Sequence, residues 1–123
     1  MQRVLGVETE YGLSAHAGGR RLSAPEAAEL LFRPVVAEHR SANAFLGNGG
    51  RLYLDVGAHP EYATPECRTA GEELVAERAG DELVLALAAR ASELAEGTGT
   101  EVMFRLFKNN TDSFGNSYGC HEN

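Results

Sequence analysis

The chain has 123 residues, 43% of them hydrophobic, which is enough for one domain with a packed core. Its 18 acidic and 11 basic residues give a net charge of −7, the wrong sign for general binding to nucleic acid or to anionic membranes. The same acidity is compatible with a nucleotide ligand, because Mg²⁺ bridges carboxylates to phosphates.

No run approaches the roughly 18 apolar residues of a membrane span. The N-terminus lacks an apolar signal core, and Cys67 and Cys120 fit no paired-cysteine motif. The expectation is a cytoplasmic protein with reduced thiols.

Val4 to Tyr11 alternates as a strand. Leu5, Val7, Thr9 and Tyr11 share one face, and Val4, Gly6, Glu8 and Glu10 share the other. Carboxylates at i and i+2 repel unless a cation lies near them. A solvated edge gives the same pattern, so both readings stand at this point. Gly12 to Leu22 reads as a loop, with Gly18-Gly19 as turn formers and Arg20-Arg21 in solvent.

Ser23-Ala24-Pro25-Glu26 opens a helix with a capping box. Ala27, Leu30, Leu31 and Val35 are its core candidates, and Pro34 is expected to limit its regular part to about Arg33. Arg40 to Leu46 reads as irregular. Gly47-Asn48-Gly49-Gly50 reads as a hairpin turn rather than a phosphate cradle, since no Lys-Ser/Thr follows and no helix opens.

Arg51 to Val56 alternates strictly. Leu52, Leu54 and Val56 point to a core, which leaves Arg51, Tyr53 and Asp55 together on the other face. A cation, a phenol and a carboxylate on one strand face read as the floor of a site. Pro60 and Pro65 forbid a helix across Glu61 to Glu66, so that segment is extended. Glu61, Ala63 and Pro65 lie on one side of it, with Tyr62, Thr64 and Glu66 on the other.

Thr69-Ala70-Gly71-Glu72 is a second capping box. The helix after it runs to about Glu96, with Leu74, Ala79, Leu83, Leu87, Ala91 and Leu94 as its apolar stripe. Glu77, Asp81, Arg90 and Glu93 read as a solvated face, and Gly97 and Gly99 end the helix. Val102 to Lys108 is a third strand, buried on both sides or covered by the long helix. Asn109 to Gly119 reads as a polar loop, either a plain connector or, fed by a buried strand, a place for ligand contacts. The run Gly119-Cys120-His121-Glu122-Asn123 has no closing element, which suggests the N-terminal part of a longer protein.

Glu8, Glu10, Glu61 and Glu66 lie on or beside extended segments and suit Mg²⁺. Arg51 suits a phosphate oxygen. Asp55 is either a further metal ligand or a general base. Phosphoryl transfer and ATP-driven ligation both fit this set.

Three blocks carry a resemblance. They are Gly6-Val7-Glu8-Thr9-Glu10-Tyr11-Gly12, the run from Asn48 to Cys67 with His59-Pro60-Glu61-Tyr62 at its centre, and Phe107 to Ser113 with Gly115 to Asn123. Together they resemble the Pup–protein ligase family, carboxylate-amine ligases related to glutamine synthetase, over essentially the whole chain. The resemblance implies an α+β fold, a curved antiparallel sheet that cradles the site with helices packed on it. Residues 1–123 would be the N-terminal part of the large catalytic domain.

The implied activity uses ATP and Mg²⁺. The γ-carboxylate of the C-terminal glutamate of Pup, a prokaryotic ubiquitin-like protein, becomes an acyl phosphate. A target-protein lysine attacks it, and the tagged protein is marked for the proteasome. Carried over, Glu8, Tyr53 and Glu61 are magnesium-site residues, Arg51 and Thr64 are ATP contacts, and Asp55 is the base that takes the lysine proton. Glu10 and His121 are further metal-site candidates.

The sister group of Pup deamidases and depupylases shares Glu8-Thr9-Glu10 and His59-Pro60-Glu61-Tyr62. Ligase is favoured by Val56-Gly57-Ala58 between Asp55 and His59, by the short Gly12–Ser41 segment, and by Asn109-Asn110-Thr111-Asp112-Ser113. A fragment that binds nucleotide without turnover is the remaining alternative.

Overall fold

The computed structural model describes residues 4–55, 57–108 and 120–122, the last three by their backbone. The elements in chain order are β1 (Val7–Glu10), β2 (Gly12–Ala17), β3 (Arg20–Arg21), α1 (Ala24–His39), β4 (Asn43–Phe45), β5 (Arg51–Leu54), β6 (Pro60–Ala63), α2 (Ala70–Gly97), β7 (Val102–Phe107) and β8 (Cys120–Glu122). They form a five-stranded sheet, β4-β5-β6-β1-β8, and a three-stranded sheet, β3-β2-β7. Every strand pairing is antiparallel, so the expected α+β class holds. No helix among the described residues is long and apolar enough to cross a membrane.

Paired residues of an antiparallel ladder project to one side, and here the register sorts the large sheet cleanly. Thr9 faces Tyr62, Tyr62 faces Leu52 and Leu52 faces Ala44. All four are buried. Leu52, Tyr62 and Ala44 join Leu31, Phe32 and Val35 of α1 and Val84, Leu87 and Ala91 of α2 in the main core. A second cluster of Ala15, Leu22, Ala27, Ala95 and Val102 lies under the small sheet. The opposite face of the large sheet carries Glu8, Glu10, Arg51, Tyr53 and Glu61.

The first strand is shorter than its alternation suggests. Leu5 makes an isolated bridge to Cys67, and the ladder begins at Val7. The expected loop over Gly12 to Leu22 is a β-hairpin instead. Gly18 (φ 58°) and Gly19 (φ 77°) supply two consecutive left-handed residues, the requirement of the two-residue hairpin turn that matches strand twist. Leu13, Ala15 and Ala17 alternate along β2, but small side chains with weak strand preference hid the signal.

α1 starts as predicted. The Ser23 hydroxyl accepts from the Glu26 N–H, and the Glu26 side chain returns to Ser23. It does not stop at Arg33. It continues through buried Pro34 to His39, where Arg40 at φ 58° ends it and donates its N–H to the Val36 carbonyl. Burial of Pro34, Val35 and Phe32 outweighs one missing backbone hydrogen bond. The segment expected to be irregular contains β4. The Gly47–Gly50 turn is the predicted hairpin, with the Leu46 N–H donating to the Gly50 carbonyl at 2.8 Å. β5 ends at Leu54, and Val56 lies outside the described residues.

α2 is capped by Thr69, whose hydroxyl accepts from the Glu72 N–H at 3.0 Å. The Glu72 carboxylate turns to the Arg68 N–H at 2.8 Å rather than to Thr69, so the box is only half closed. The buried stripe is Gly80, Val84, Leu87, Ala91 and Ala95. Leu74, Leu83 and Leu94, expected in it, are exposed. The physical reason is Tyr62. Its ring presses on the helix at Gly80, where a Cβ would come within 2.2 Å of Tyr62 Cδ1. That contact sets which side of the helix meets the sheet.

Two acidic residues expected in solvent are engaged. Asp81 accepts from the Tyr11 hydroxyl at 2.5 Å and from Lys108 Nζ at 3.1 Å. Glu77 pairs with Lys108 at 2.9 Å. β7 is covered on one side only, with Val102 buried and Met103 and Phe107 exposed. Within the terminal run, for which no element was expected, Cys120–Glu122 form β8, which pairs with β1 at Val7↔Glu122, Glu8↔His121 and Thr9↔Cys120. The polar loop expected over 109–119 lies outside the described residues.

Candidate functional site

The polar face of the large sheet is built by register. Glu10 is paired with Glu61, Glu61 with Tyr53, and Glu8 and Arg51 both with Ala63. β1 and the β5–β6 hairpin, about forty residues apart in the chain, thus deliver Glu8, Glu10, Glu61, Tyr53 and Arg51 to one surface. Residues paired directly across a ladder hold their Cβ atoms about 5 Å apart, within reach of one ligand. Five of the six residues assigned by sequence to metal, nucleotide and base roles gather there or at its rim. These are Glu8, Arg51, Tyr53, Asp55 and Glu61.

Thr64 stands apart in its bonding. It lies one residue past β6, and its hydroxyl accepts the Val7 N–H at 3.0 Å while its own N–H donates to the Val7 carbonyl at 2.9 Å. Its hydroxyl proton is not used by that bond and can be donated to a ligand oxygen.

Glu61 is the deepest of the carboxylates, 8% exposed. Burial pushes its carboxyl above the usual range. The charges of Asp55, Glu10 and Glu8 push it the same way, against a hydrogen bond from Tyr53 that lowers it. The Tyr53 phenol is also raised, first by burial and then by Glu61 and Glu8, with Arg51 opposing. Both shifts have one origin: negative charge concentrated on a partly dried surface. Oxygen donors crowded in this way fit a hard divalent cation.

Arg51 stacks its guanidinium over the Tyr53 ring, 3.8 Å from the centroid. Its Nε is buried without a hydrogen-bond partner among the described residues. A buried guanidinium N–H left unpaired is costly, and an anionic oxygen would relieve it. Crowded carboxylate and phenol oxygens thus lie beside an arginine whose Nε–H is open to an anion.

Asp55 sits just past β5, in the turn to β6. His59, quoted in the sequence only as part of a motif, belongs to the site. Its Nδ1 lies 2.9 Å from Glu10 Oε1 and 3.4 Å from Asp55 Oδ2. Glu10, Asp55 and His59 each place a ligand-type atom within 4.8 Å of the others. The available signal was the Asp-x-Gly-x-His spacing, in which a carboxylate meets the N–H groups of its own turn. Glu66 is exposed and outside this group. His121 is the backbone partner of Glu8, on the far edge of β1. Cys67 is a buried free thiol, raised by burial and by Glu72 and Glu73.

Residues 3–123 match the family model described as Pup-ligase protein. Among curated relatives, a Pup–protein ligase of Corynebacterium urealyticum is 54% identical over all of this chain and 25% of its own length. One from Corynebacterium diphtheriae is 55% identical over 99% of this chain and 26% of its own. The chain therefore spans about a quarter of the length of these relatives. In the solved complex between the prokaryotic ubiquitin-like protein Pup and its ligase PafA, one chain superimposes with a TM-score of 0.90 at 47% identity. The match covers 98% of this chain and 25% of that one. The Pup ligase PafA in complex with ADP matches with a TM-score of 0.59 at 47% identity, over 80% of this chain and 21% of that one.

Proposed function

The chain belongs to the Pup-ligase family, and from that premise we propose that it forms the N-terminal part of the catalytic domain of an ATP-dependent Pup–protein ligase. The observation that carries the proposal is the sheet face itself, where Glu8, Glu10, Glu61, Tyr53 and Arg51 converge with Asp55 at the rim. The ADP complex of a 47% identical ligase supports a nucleotide ligand. The Pup complex of another chain at the same identity supports Pup as the protein substrate.

In this reading Glu8, Tyr53 and Glu61 hold Mg²⁺, with Glu10 beside them. The ion supplies charge neutralisation for the phosphates when bound. Arg51 directs its unpaired Nε–H to a phosphate oxygen, and Tyr53 keeps the guanidinium flat against the sheet. Thr64 donates its hydroxyl proton to the nucleotide while its oxygen stays on Val7 N–H.

The γ-carboxylate of the C-terminal glutamate of Pup attacks the terminal phosphorus of ATP and ADP leaves. The lysine amine of the target then attacks the acyl carbon, and phosphate leaves as the isopeptide bond forms. A lysine is cationic at neutral pH and must lose a proton before it attacks. Asp55 Oδ1 is occupied by the N–H groups of Gly57 and His59, so Oδ2 receives the proton. The product is a protein marked for proteasomal degradation. A cytoplasmic location fits a substrate of this kind and the free Cys67 thiol.

The test is conjugation of Pup ending in Glu to a lysine substrate, with ATP and Mg²⁺, by the protein that carries this chain. Asp55→Asn should lower the rate by about 10²–10⁴-fold. A wild-type rate in Asp55→Asn removes the base assignment. Conversion of Pup ending in Gln to Pup ending in Glu, with no conjugation, makes the enzyme a deamidase instead.

A further inference from the structure

The turn between β5 and β6 is closed by contacts that centre on Asp55 and His59. Asp55 Oδ1 accepts from the Gly57 N–H at 2.7 Å and the His59 N–H at 2.9 Å. The Asp55 N–H donates to the His59 carbonyl at 3.2 Å, and the Ala58 N–H to the Asp55 carbonyl at 3.1 Å. Ala58 takes a left-handed φ of 61° to complete the turn. A Cβ at Gly57 would lie 3.1 Å from His59 Nδ1 and 3.3 Å from Asp55 Oδ1. The imidazole and the carboxylate thus fill the space that a side chain at 57 would take.

Asp55 is outside the strand ladder, so the turn alone must aim it. The His59 ring ties that turn to the sheet. Its Nδ1 reaches Glu10 Oε1 on β1 at 2.9 Å and Asp55 Oδ2 at 3.4 Å. An imidazole nitrogen at hydrogen-bond distance from a carboxylate oxygen carries the proton, because two lone pairs repel. We propose that His59 is a positioning residue for Asp55. Its Nδ1–H is anchored on Glu10 and holds Oδ2 at a set distance from the cation-side carboxylates of β1. This inference rests on the reading of Asp55 as the base. It assigns His59 no contact with substrate and no proton to transfer. The ring does for a turn residue what the backbone ladder does for Glu61 and Tyr53.

The experiment compares His59→Ala, His59→Asn and His59→Gln with wild type in the protein that carries this chain, by steady-state conjugation kinetics. An asparagine amide N–H falls where Nδ1 lies, and a glutamine amide reaches the position of Nε2. His59→Ala is expected to lower kcat about 10–100-fold, the usual range for removing a group that orients a site carboxylate or ligand. KM for ATP stays within about twofold. His59→Asn recovers most of kcat, and His59→Gln does not.

Equal kcat in the Asn and Gln variants overturns the proposal, as does wild-type kcat in His59→Ala. Should His59→Ala fail to fold, the Asn and Gln pair carries the comparison. Asp55→Asn is measured alongside. Loss of activity there with wild-type kcat in His59→Ala refutes this inference alone, whereas wild-type kcat in Asp55→Asn refutes the base reading beneath it. Independently of turnover, long-range ¹H–¹⁵N spectra of the protein without nucleotide should show the His59 proton on Nδ1. A ring protonated on Nε2 alone overturns the proposal.

Discussion

Gly80→Ala should destabilise the protein, against the general rule for glycine inside a helix. In an open helix this change gains about 1 kcal/mol. Here the new Cβ would lie 2.2, 2.5 and 2.9 Å from Cδ1, Cε1 and Cγ of Tyr62. Carbon atoms prefer about 3.5–4.0 Å, so the overlap exceeds about 1 Å at the nearest atom. Tyr62 is 1% exposed and its hydroxyl accepts from Asn48 Nδ2 at 3.0 Å, so the ring has nowhere to swing. Overpacking of this kind costs about 1–3 kcal/mol. Three ring atoms in conflict place it at the upper end, leaving a net loss of about 2 kcal/mol after the helix gain. Thermal or urea unfolding followed by circular dichroism measures it, with an expected fall in midpoint of about 8 °C for a unit of this size. Tyr62→Leu in the same chain should restore the ordinary gain from Gly80→Ala, giving a coupling of at least about 1 kcal/mol in the double-mutant cycle. A midpoint at or above wild type for Gly80→Ala alone would refute the reasoning.

Two further outcomes follow from the charged groups. Because burial, Asp55, Glu10 and Glu8 raise the Glu61 carboxyl, the native state binds its proton more tightly than the unfolded chain does. Stability is then lost as pH climbs from about 4.3 through the raised native value, and the full penalty stands above it. Glu61→Gln should therefore raise the unfolding midpoint at pH 7–8 in the absence of metal, with a gain that shrinks on acidification. Mg²⁺ at about 100 times its dissociation constant should stabilise wild type by about 2.7 kcal/mol and Glu61→Gln by much less. Melting curves with and without MgCl₂ decide both points. Tyr11→Phe removes the hydroxyl that Asp81 holds and should cost about 1–2 kcal/mol at pH 7. Burial first, and Asp81 next, raise the Tyr11 phenol well above its usual value of about 10. Wild type thus loses stability as pH rises past that value, and the difference from Tyr11→Phe should narrow there in unfolding curves taken at pH 7 and pH 11.

Much of the site was legible because a strand has a period of two. Arg51, Tyr53 and Asp55 had to share one strand face, and Glu8 and Glu10 another, before any pairing was known. Which strands would lie side by side was not legible, since ladder partners such as Glu10 and Glu61 are chosen by packing across the whole sheet. The two helix starts were readable from their caps. The buried side of α2 was not, because leucines at 74, 83 and 94 outcompete a glycine in any apolar pattern. Gly80 is buried only because Tyr62, on a distant strand, needs that space. Pro34 misled for the same kind of reason: its burial, invisible in sequence, outweighs the one backbone bond it removes. His59 was hidden because a lone histidine beside a proline has no periodicity to read. Its meaning comes from Glu10, on another strand.

The pairing of β1 also sets a timetable for synthesis. Its inner neighbour β6 is made about fifty residues later, but its outer neighbour β8 pairs Glu8 with His121, 113 positions downstream. At about 5–20 residues per second on the ribosome, the strand that carries Glu8 and Glu10 waits roughly 6–23 seconds for its outer partner. An open strand edge recruits other chains. Charged side chains on an open strand disfavour such pairing, and Glu8 and Glu10 place two like charges on this one.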